Sequence, residues 1–417
     1  MSDRTRREFI NRTMAAGGTL AVAQFVGAIG VAHAAPDTGI AGQAAALLPP
    51  NDPGAAQAAW RELIDFLRTA DMTFLDGRRG QFDQYETAYG YRSLIHMLMN
   101  AVNMHMEDDP NWPEFVQLDT RNAPFLGGNP DTRYLYAPIQ GGRRYRIRGH
   151  RGDEAYMSFT SHRGDRGSGF RQRFDDNINH HTIKTDADGR FEVILSAERE
   201  GENWLHISPD AAVVLAQTYV LDRDRDRPAT FTIESMDPQP PPPRLRPDEV
   251  AQRLRLTMGL VREQASFAVP RPPAAPGELN TVTRQGYRFK IGQESADWAT
   301  PDNTYTEGRF FLDPSQALLL EGTVVPCDYW GIQIWNPFLA SPDYRYHKVS
   351  INKAEAKLGP NGQFRVAIAH NDPKVPGLDW LSTAGERQGT FYIRWLMAQA
   401  EAPKVTAKLV KIADLGR

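Results

Sequence analysis

Between Tyr344 and Ser350 the chain sets two tyrosines, an arginine, a histidine and a lysine in one short run. Imidazoles titrate near neutral pH, so His347 here and His370 further on are candidate proton-transfer groups, with Tyr344 as a third. Arg345 and Arg394 have the fork geometry that holds a carboxylate, phenolate or enolate. Trp330, Trp335, Tyr344 and Tyr346 could flank a flat ring. Read as a strand, 341–350 puts Tyr344, Tyr346, Lys348 and Ser350 on one face and Arg345, His347, Val349 and Ile351 on the other. The same alternation gives Phe391, Ile393, Trp395 and Met397 a core face, leaving Thr390, Tyr392 and Arg394 on the opposite side. Either these strands line one polar-aromatic hollow, or Tyr and Arg stems cover a solvated face.

Other chemistries find less support. No Gly-x-Ser-x-Gly elbow occurs, and no dinucleotide or phosphate-loop glycine pattern. Ser350 to Lys353 matches Ser-x-x-Lys, but that motif needs its serine at a helix start and this one reads as strand. His96 and His105 are nine residues apart, which is not a ligand spacing, and read as packing histidines. The His180–His181 pair with His206 or His162 is a conceivable metal site without positive support from spacing. Asp175 and Asp176 are adjacent, so on a strand they face opposite ways, which weakens a paired-carboxylate role. What remains is proton transfer with stabilisation of a developing anion. The expectation is a cofactor-independent lyase, of retro-aldol or β-elimination type, acting on a small aromatic or carboxylated compound. The alternatives are a non-catalytic envelope protein binding a carbohydrate or small molecule, and a carbohydrate-active hydrolase or lyase. No metal ligands are assigned and no cofactor is expected, with a bound metal left open.

These side chains must be held by a chain of 417 residues with net charge -3, an ordinary globular balance without the basic footprint of a nucleic-acid binder. Its one cysteine, Cys327, precludes an intramolecular disulfide and reads as a buried structural thiol. Arg6–Arg7, a stretch from Thr13 to Ala35 without Asp, Glu, Lys or Arg, and Ala32-His33-Ala34 together read as a twin-arginine signal peptide over 1–34. Thr19, Gln24 and several glycines argue against a spanning helix there. The expectation is therefore passage through the twin-arginine export machinery, cleavage near Ala34, a periplasmic or secreted product, and no stable membrane insertion. Residues 35–125 read as a flexible lead-in followed by helices, with apolar residues recurring at three- and four-residue intervals. Short alternating runs over 126–240 and 281–417, with turn signals such as Asp188-Gly189 and Asn361-Gly362, read as two β-domains. The proline-rich stretch opening 241–280 leads into one inter-domain helix from about Asp248 to Ala268.

The C-terminal half carries Tyr329-Trp330, Trp335-Asn336, Asp343-Tyr344-Arg345, Asn352-Lys353, Ala369-His370, Asp372-Pro373 and Arg394-Trp395. This motif string resembles the family called domain of unknown function 1214. The segments "GGNPDTRYLYAPI", "NWLHISPD" and "DNTYTEGRFFLDPSQALLLEG" look similar to it too, so the likeness spans most of the chain. It implies a jelly-roll-like β fold and no activity; with the pattern above, the expectation is a mainly β chain of two jelly-roll-like β-sandwich domains with a helical N-terminal segment and one inter-domain helix. Asn336 and Asn352, as motif positions, join the candidate substrate contacts. One departure stands out: where the family tends to carry Asp and His, this chain has Ser382 and Glu386.

Overall fold

The computed structural model describes residues 52–75, 82–120, 122–166, 172–268, 277–292, 298 and 300–416. The signal peptide and most of the lead-in lie outside the described residues. The helical run resolves into α1 (Ala55–Phe74) and α2 (Gln84–His105). α2 begins with a capping box: the Asp83 carboxylate accepts from the Tyr85 and Glu86 amides while Glu86 accepts from the Asp83 amide. The inter-domain helix α3 (Pro247–Ala268) starts with proline and carries Asp248 and Glu249 in its first turn, where acidic groups offset the helix dipole. Leu260 and Val261 of α3 and Met97, Ala101 and Met104 of α2 share an apolar cluster with Tyr136, Val213 and Leu215 of the first β-domain.

The first β-domain comprises β1 (Val116–Gln117), β2 (Thr132–Pro138), β3 (Tyr145–His150), β4 (Tyr156–Arg163), β5 (Arg173–Asn179), β6 (Arg190–Ser196), β7 (Trp204–His206), β8 (Ala211–Tyr219) and β9 (Thr230–Ser235). The second comprises β10 (Thr281–Tyr287), β11 (Asn303–Phe311), β12 (Gln316–Thr323), β13 (Tyr329–Trp335), β14 (Ser350–Asn352), β15 (Gln363–Ala369), β16 (Asp379–Ser382), β17 (Gln388–Leu396) and β18 (Thr406–Lys411). Each is a two-sheet sandwich. The first pairs a five-stranded sheet, β1-β2-β8-β4-β5, with a four-stranded one, β7-β6-β3-β9; the second pairs β10-β11-β17-β13-β14 with β16-β15-β12-β18. Leu135, Phe159, Val193, Leu195 and Val214 fill the first sandwich, and Leu318, Ile332, Val366, Ile368 and Phe391 the second.

The strand orders show a duplication. Adding nine to each strand number of the first domain reproduces both sheets of the second, including the single parallel pair of each, β6–β7 and β15–β16. The register agrees: Tyr156 of β4 faces Tyr219 of β8, and Tyr329 of β13 faces Leu396 of β17. β8 and β13 are buried along their whole length, since one face of each five-stranded sheet lines its own sandwich and the other packs on helices or on the opposite domain.

Two reciprocal carboxylates join the domains. Asp131, just before β2, accepts from the Tyr329 hydroxyl at 2.8 Å and the Asn352 amide at 3.0 Å. Asp302, just before β11, accepts from the Tyr156 hydroxyl and the Asn179 amide, both at 2.8 Å. Even the supporting bonds repeat: Asn129 donates to Tyr329, as Thr300 pairs with Tyr156, both at 3.0 Å. Each domain thus inserts one carboxylate into a Tyr–Asn pair of the other, which satisfies buried polar groups on both sides.

The structure corrects the strand expected over 341–350. After Pro342, the Asp343 carbonyl accepts from the Tyr346 and His347 amides at 3.2 and 3.1 Å, and its carboxylate from the Arg345 amide at 3.1 Å. A Pro-Asp turn therefore overrides the period-two pattern, and pairing resumes only at Ser350.

Candidate functional site

The local chain from Asp119 to Arg133 organises the described cleft. The Asp119 carboxylate accepts from the Phe125 amide at 3.1 Å, closing a short loop. Gly127, with φ of +68°, turns the chain back, and its carbonyl accepts from the Arg394 guanidinium at 2.9 Å. Gly128 follows: a Cβ there would lie 2.4 Å from Asp119 Oδ2, so only glycine leaves the carboxyl its place. Its carbonyl accepts from the Trp335 indole at 2.8 Å. Asn129 and β2 then lead away from the turn.

Above this turn opens a cleft of about 340 Å³. Asp119, Gly128 and Asn129 form part of its lining, with Arg133 from β2, Arg92 and His96 from α2, and Tyr344 and Arg345 from the 340–345 loop. Three separate segments of chain thus meet there. Burial pushes the Asp119 carboxyl up to about 7, against the Phe125 amide and the Arg394 charge, which favour its ionised form. Burial and the neighbouring Arg92 hold His96 below the usual imidazole range. Arg345 is paired with Asp343. Arg92 lies over the Tyr89 ring, and neither it nor Arg133 makes an ion pair among the described residues.

Behind the turn lies a second polar layer, closed to solvent. Arg394 is 5% exposed, bonds Gln333, and sits 5.5 Å from the Trp335 ring and 4.9 Å from that of Tyr392. Burial opposes its charge, yet the phenolic oxygens of Tyr134, Tyr219, Tyr305 and Tyr392 raise its pKa. Arg394 is therefore a buried cation one residue behind the cleft lining, on the Gly127 carbonyl.

The sequence-predicted residues separate accordingly. Tyr344 and Arg345 line the cleft, whereas Tyr346 is 77% exposed and His347 lies on the outside of the same turn. Trp330 is fully buried in the second sandwich core, so it offers no platform for a ring. Trp335 is buried against Tyr392. The Asn336 side chain accepts from the Phe338 and Ala340 amides and shapes the loop, while Asn352 serves the Asp131 interlock. His370 is held at both ring nitrogens, by the Thr383 hydroxyl at 2.8 Å and the Leu312 carbonyl at 3.2 Å. His347, His370, Arg345 and Arg394 therefore do not share one hollow. Alternation did separate Phe391, Ile393 and Trp395 from Tyr392 and Arg394, but the polar face meets the other domain.

Sequence reasoning missed Asp119, Arg133 and Arg92 and took His96 for a packing residue. The signal available was the pair of glycines after Phe125-Leu126, where a tight turn invites a close side-chain approach. The candidate metal set of the sequence also changes membership. His162 is fully buried, with burial pushing its pKa to about 3, and His206 bonds the Ala197 carbonyl; Asp328 is the group that meets His180 and His181. Asp175 and Asp176 accept from the Ser208 and His206 amides, a structural role. Burial pushes the Cys327 thiol up to about 11, which suits an inert cysteine.

The model of the family described as "Protein of unknown function (DUF1214)" matches residues 135–220 and 310–400. A search of curated proteins gives no significant match. Among solved structures, an uncharacterized protein from Burkholderia cenocepacia is 28% identical, with a TM-score of 0.79, covering 87% of this chain and 99% of its own. A protein from Vibrio parahaemolyticus is 12% identical with a TM-score of 0.43, covering 76% of this chain and 98% of its own.

Proposed function

Both β-domains of this chain belong to the DUF1214 family, and on that premise we propose that the cleft binds a small carboxylated compound and that Asp119 exchanges a proton with it. The observation that carries this is a carboxyl poised near pH 7 in a cleft whose walls bring Arg92 and Arg133 without a carboxylate partner among the described residues. A base of that pKa exists in both forms at neutral pH, the condition for efficient proton transfer. The arginines supply the charge that holds a carboxylate and stabilises a developing enolate. Tyr344 gives one wall a ring and a hydroxyl. The reaction class this serves is lyase chemistry by β-elimination: Asp119 takes the proton beside the substrate carboxylate, the electron pair forms the double bond, and the leaving group departs with a proton from solvent or a cleft hydroxyl.

The test is a panel of small 3-hydroxy and aromatic carboxylic acids, followed by binding calorimetry and by product appearance. Asp119→Asn should cut turnover by about 10²–10⁴-fold while retaining most of the affinity. Arg133→Ala should weaken binding at least tenfold. Turnover that survives Asp119→Asn would remove the carboxyl from the chemistry. Binding without turnover in the parent protein would leave the cleft as the site of a carrier for the same anions.

A further inference from the structure

A cluster of two imidazoles and a carboxylate lies at the seam between the domains. His180 Nε2 lies 3.1 Å and His181 Nε2 2.7 Å from the same oxygen, Oδ2 of Asp328. The three donor atoms fall within 4.8 Å of one another. The histidines follow β5 of the first domain and the aspartate precedes β13 of the second. Because the chain turns at His180 instead of continuing as strand, two adjacent side chains can point the same way, which a pleated segment would forbid.

The duplication shows that this cluster is not a by-product of the fold. Asp328 and Ala155 occupy equivalent places: each precedes the opening tyrosine of its strand, and each donates its amide to the last residue of the neighbouring strand, Leu396 at 3.0 Å and Tyr219 at 2.8 Å. His180 and His181 follow Asn179 as Lys353 and Ala354 follow Asn352. The second seam therefore carries alanine and lysine where the first carries carboxylate and imidazole. Both seams already hold their Asp–Tyr–Asn interlock, so joining the domains does not require the extra triad.

We propose that His180, His181 and Asp328 bind one divalent transition-metal ion. Two imidazoles and one carboxylate are the borderline N/O set that suits zinc and its neighbours in the first transition row, and three protein donors leave a coordination position open. The side chains are partly set in place. The His180 ring packs edge-on against the buried Tyr156 at 5.4 Å, and Asn179 Oδ1 accepts from the His181 amide at 3.1 Å. His181 is 52% exposed at its side chain, which gives an ion access from solvent. Closing a tetrahedral shell around zinc requires donor separations of about 3.3 Å, so the His180 and His181 Nε2 atoms, at 3.1 and 2.7 Å, draw back slightly from Asp328 Oδ2 as the ion enters. Arg151, whose charge reaches His180, is itself paired with Glu154.

The experiment uses the folded chain stripped with a chelator and titrated with Zn²⁺ by calorimetry, then with Co²⁺ read by its visible absorption. One equivalent of zinc should bind, and Co²⁺ should give the intense bands of a low-coordinate site. His181→Ala should weaken zinc at least tenfold, and Asp328→Asn should do the same, with the circular dichroism of both unchanged. His181→Gln keeps the bulk of the exposed side chain and serves if the alanine variant folds poorly. Absence of stoichiometric zinc binding, or affinities unmoved by both substitutions, overturns the proposal and leaves the triad as a hydrogen-bonded tether.

Discussion

Two carboxyls in this protein carry an electrostatic load that pH can reveal. Burial pushes Asp119 up to about 7 from 3.8, and pushes Glu386 up to about 7 from 4.5 with help from the nearby Glu86 and Asp83 charges. A carboxyl whose folded pKa lies above its unfolded one binds its proton more tightly when folded. Stability is then lost as pH rises from the unfolded value through the folded one, and the cost is complete above it. Asp119→Asn should therefore stabilise the protein by roughly 2–4 kcal/mol at pH 8 and by little at pH 4. Glu386→Gln should follow the same profile at on the order of 2 kcal/mol. Urea unfolding at the two pH values measures both, and equal shifts at pH 4 and 8 would disprove the assignment. Glu386 stands where the resemblance leads one to expect histidine, and it lies beside the acidic start of α2, so this chain concentrates negative charge at that point. His347, on the outside of its turn, belongs to neither network, and His347→Ala should leave ligand binding in the cleft unchanged.

Among the elements, the equivalent strands β4 and β13 do the joining. Tyr156 and Tyr329 open these strands and reach into the opposite domain, where Tyr329 meets the buried Asp131 and Tyr156 the half-buried Asp302. Replacing either by phenylalanine leaves an interlock carboxylate short of one donor, at a cost of about 1–3 kcal/mol. Because the two interlocks are equivalent by duplication, Tyr156→Phe and Tyr329→Phe should cost similar amounts, measured as the shift in urea midpoint. Markedly unequal costs would show that the resemblance of the two seams is geometric only. The strand pattern was legible wherever one face meets a core, as in β15 and β17. The turn at 341–350 was not, because its alternation of ring and charge mimics a strand while Pro342 and Asp343 dictate otherwise.

For the molecule as a whole, residues 50–417 form a single compact unit although the sequence reads as separate domains. The five-stranded sheets, with β8 and β13 buried along their length, and a shared helical layer mean that separating the sandwiches would expose apolar surface on both. Calorimetry should therefore show one unfolding transition, and the Asp131→Asn, Asp302→Asn double variant should split or broaden it. Two transitions in the parent protein would mean that the interlocks carry little of the coupling.

The mainly β character, the two β-domains, and the helices before and between them all follow from local pattern, because periodicity and turn residues act over a few neighbours. The duplication is faint in the sequence because its fingerprint is a handful of residues, Pro130-Asp131 against Pro301-Asp302 and Asn179 against Asn352, set in otherwise different text. Only the tertiary structure decided which polar groups meet. Alternation assigns a side chain to a face but not to what lies opposite: Arg394 proved to face the other domain, and Asp119 a cleft whose arginines arrive from a helix and a strand. Such meetings depend on how elements pack across long stretches of chain, and no spacing within one segment encodes them.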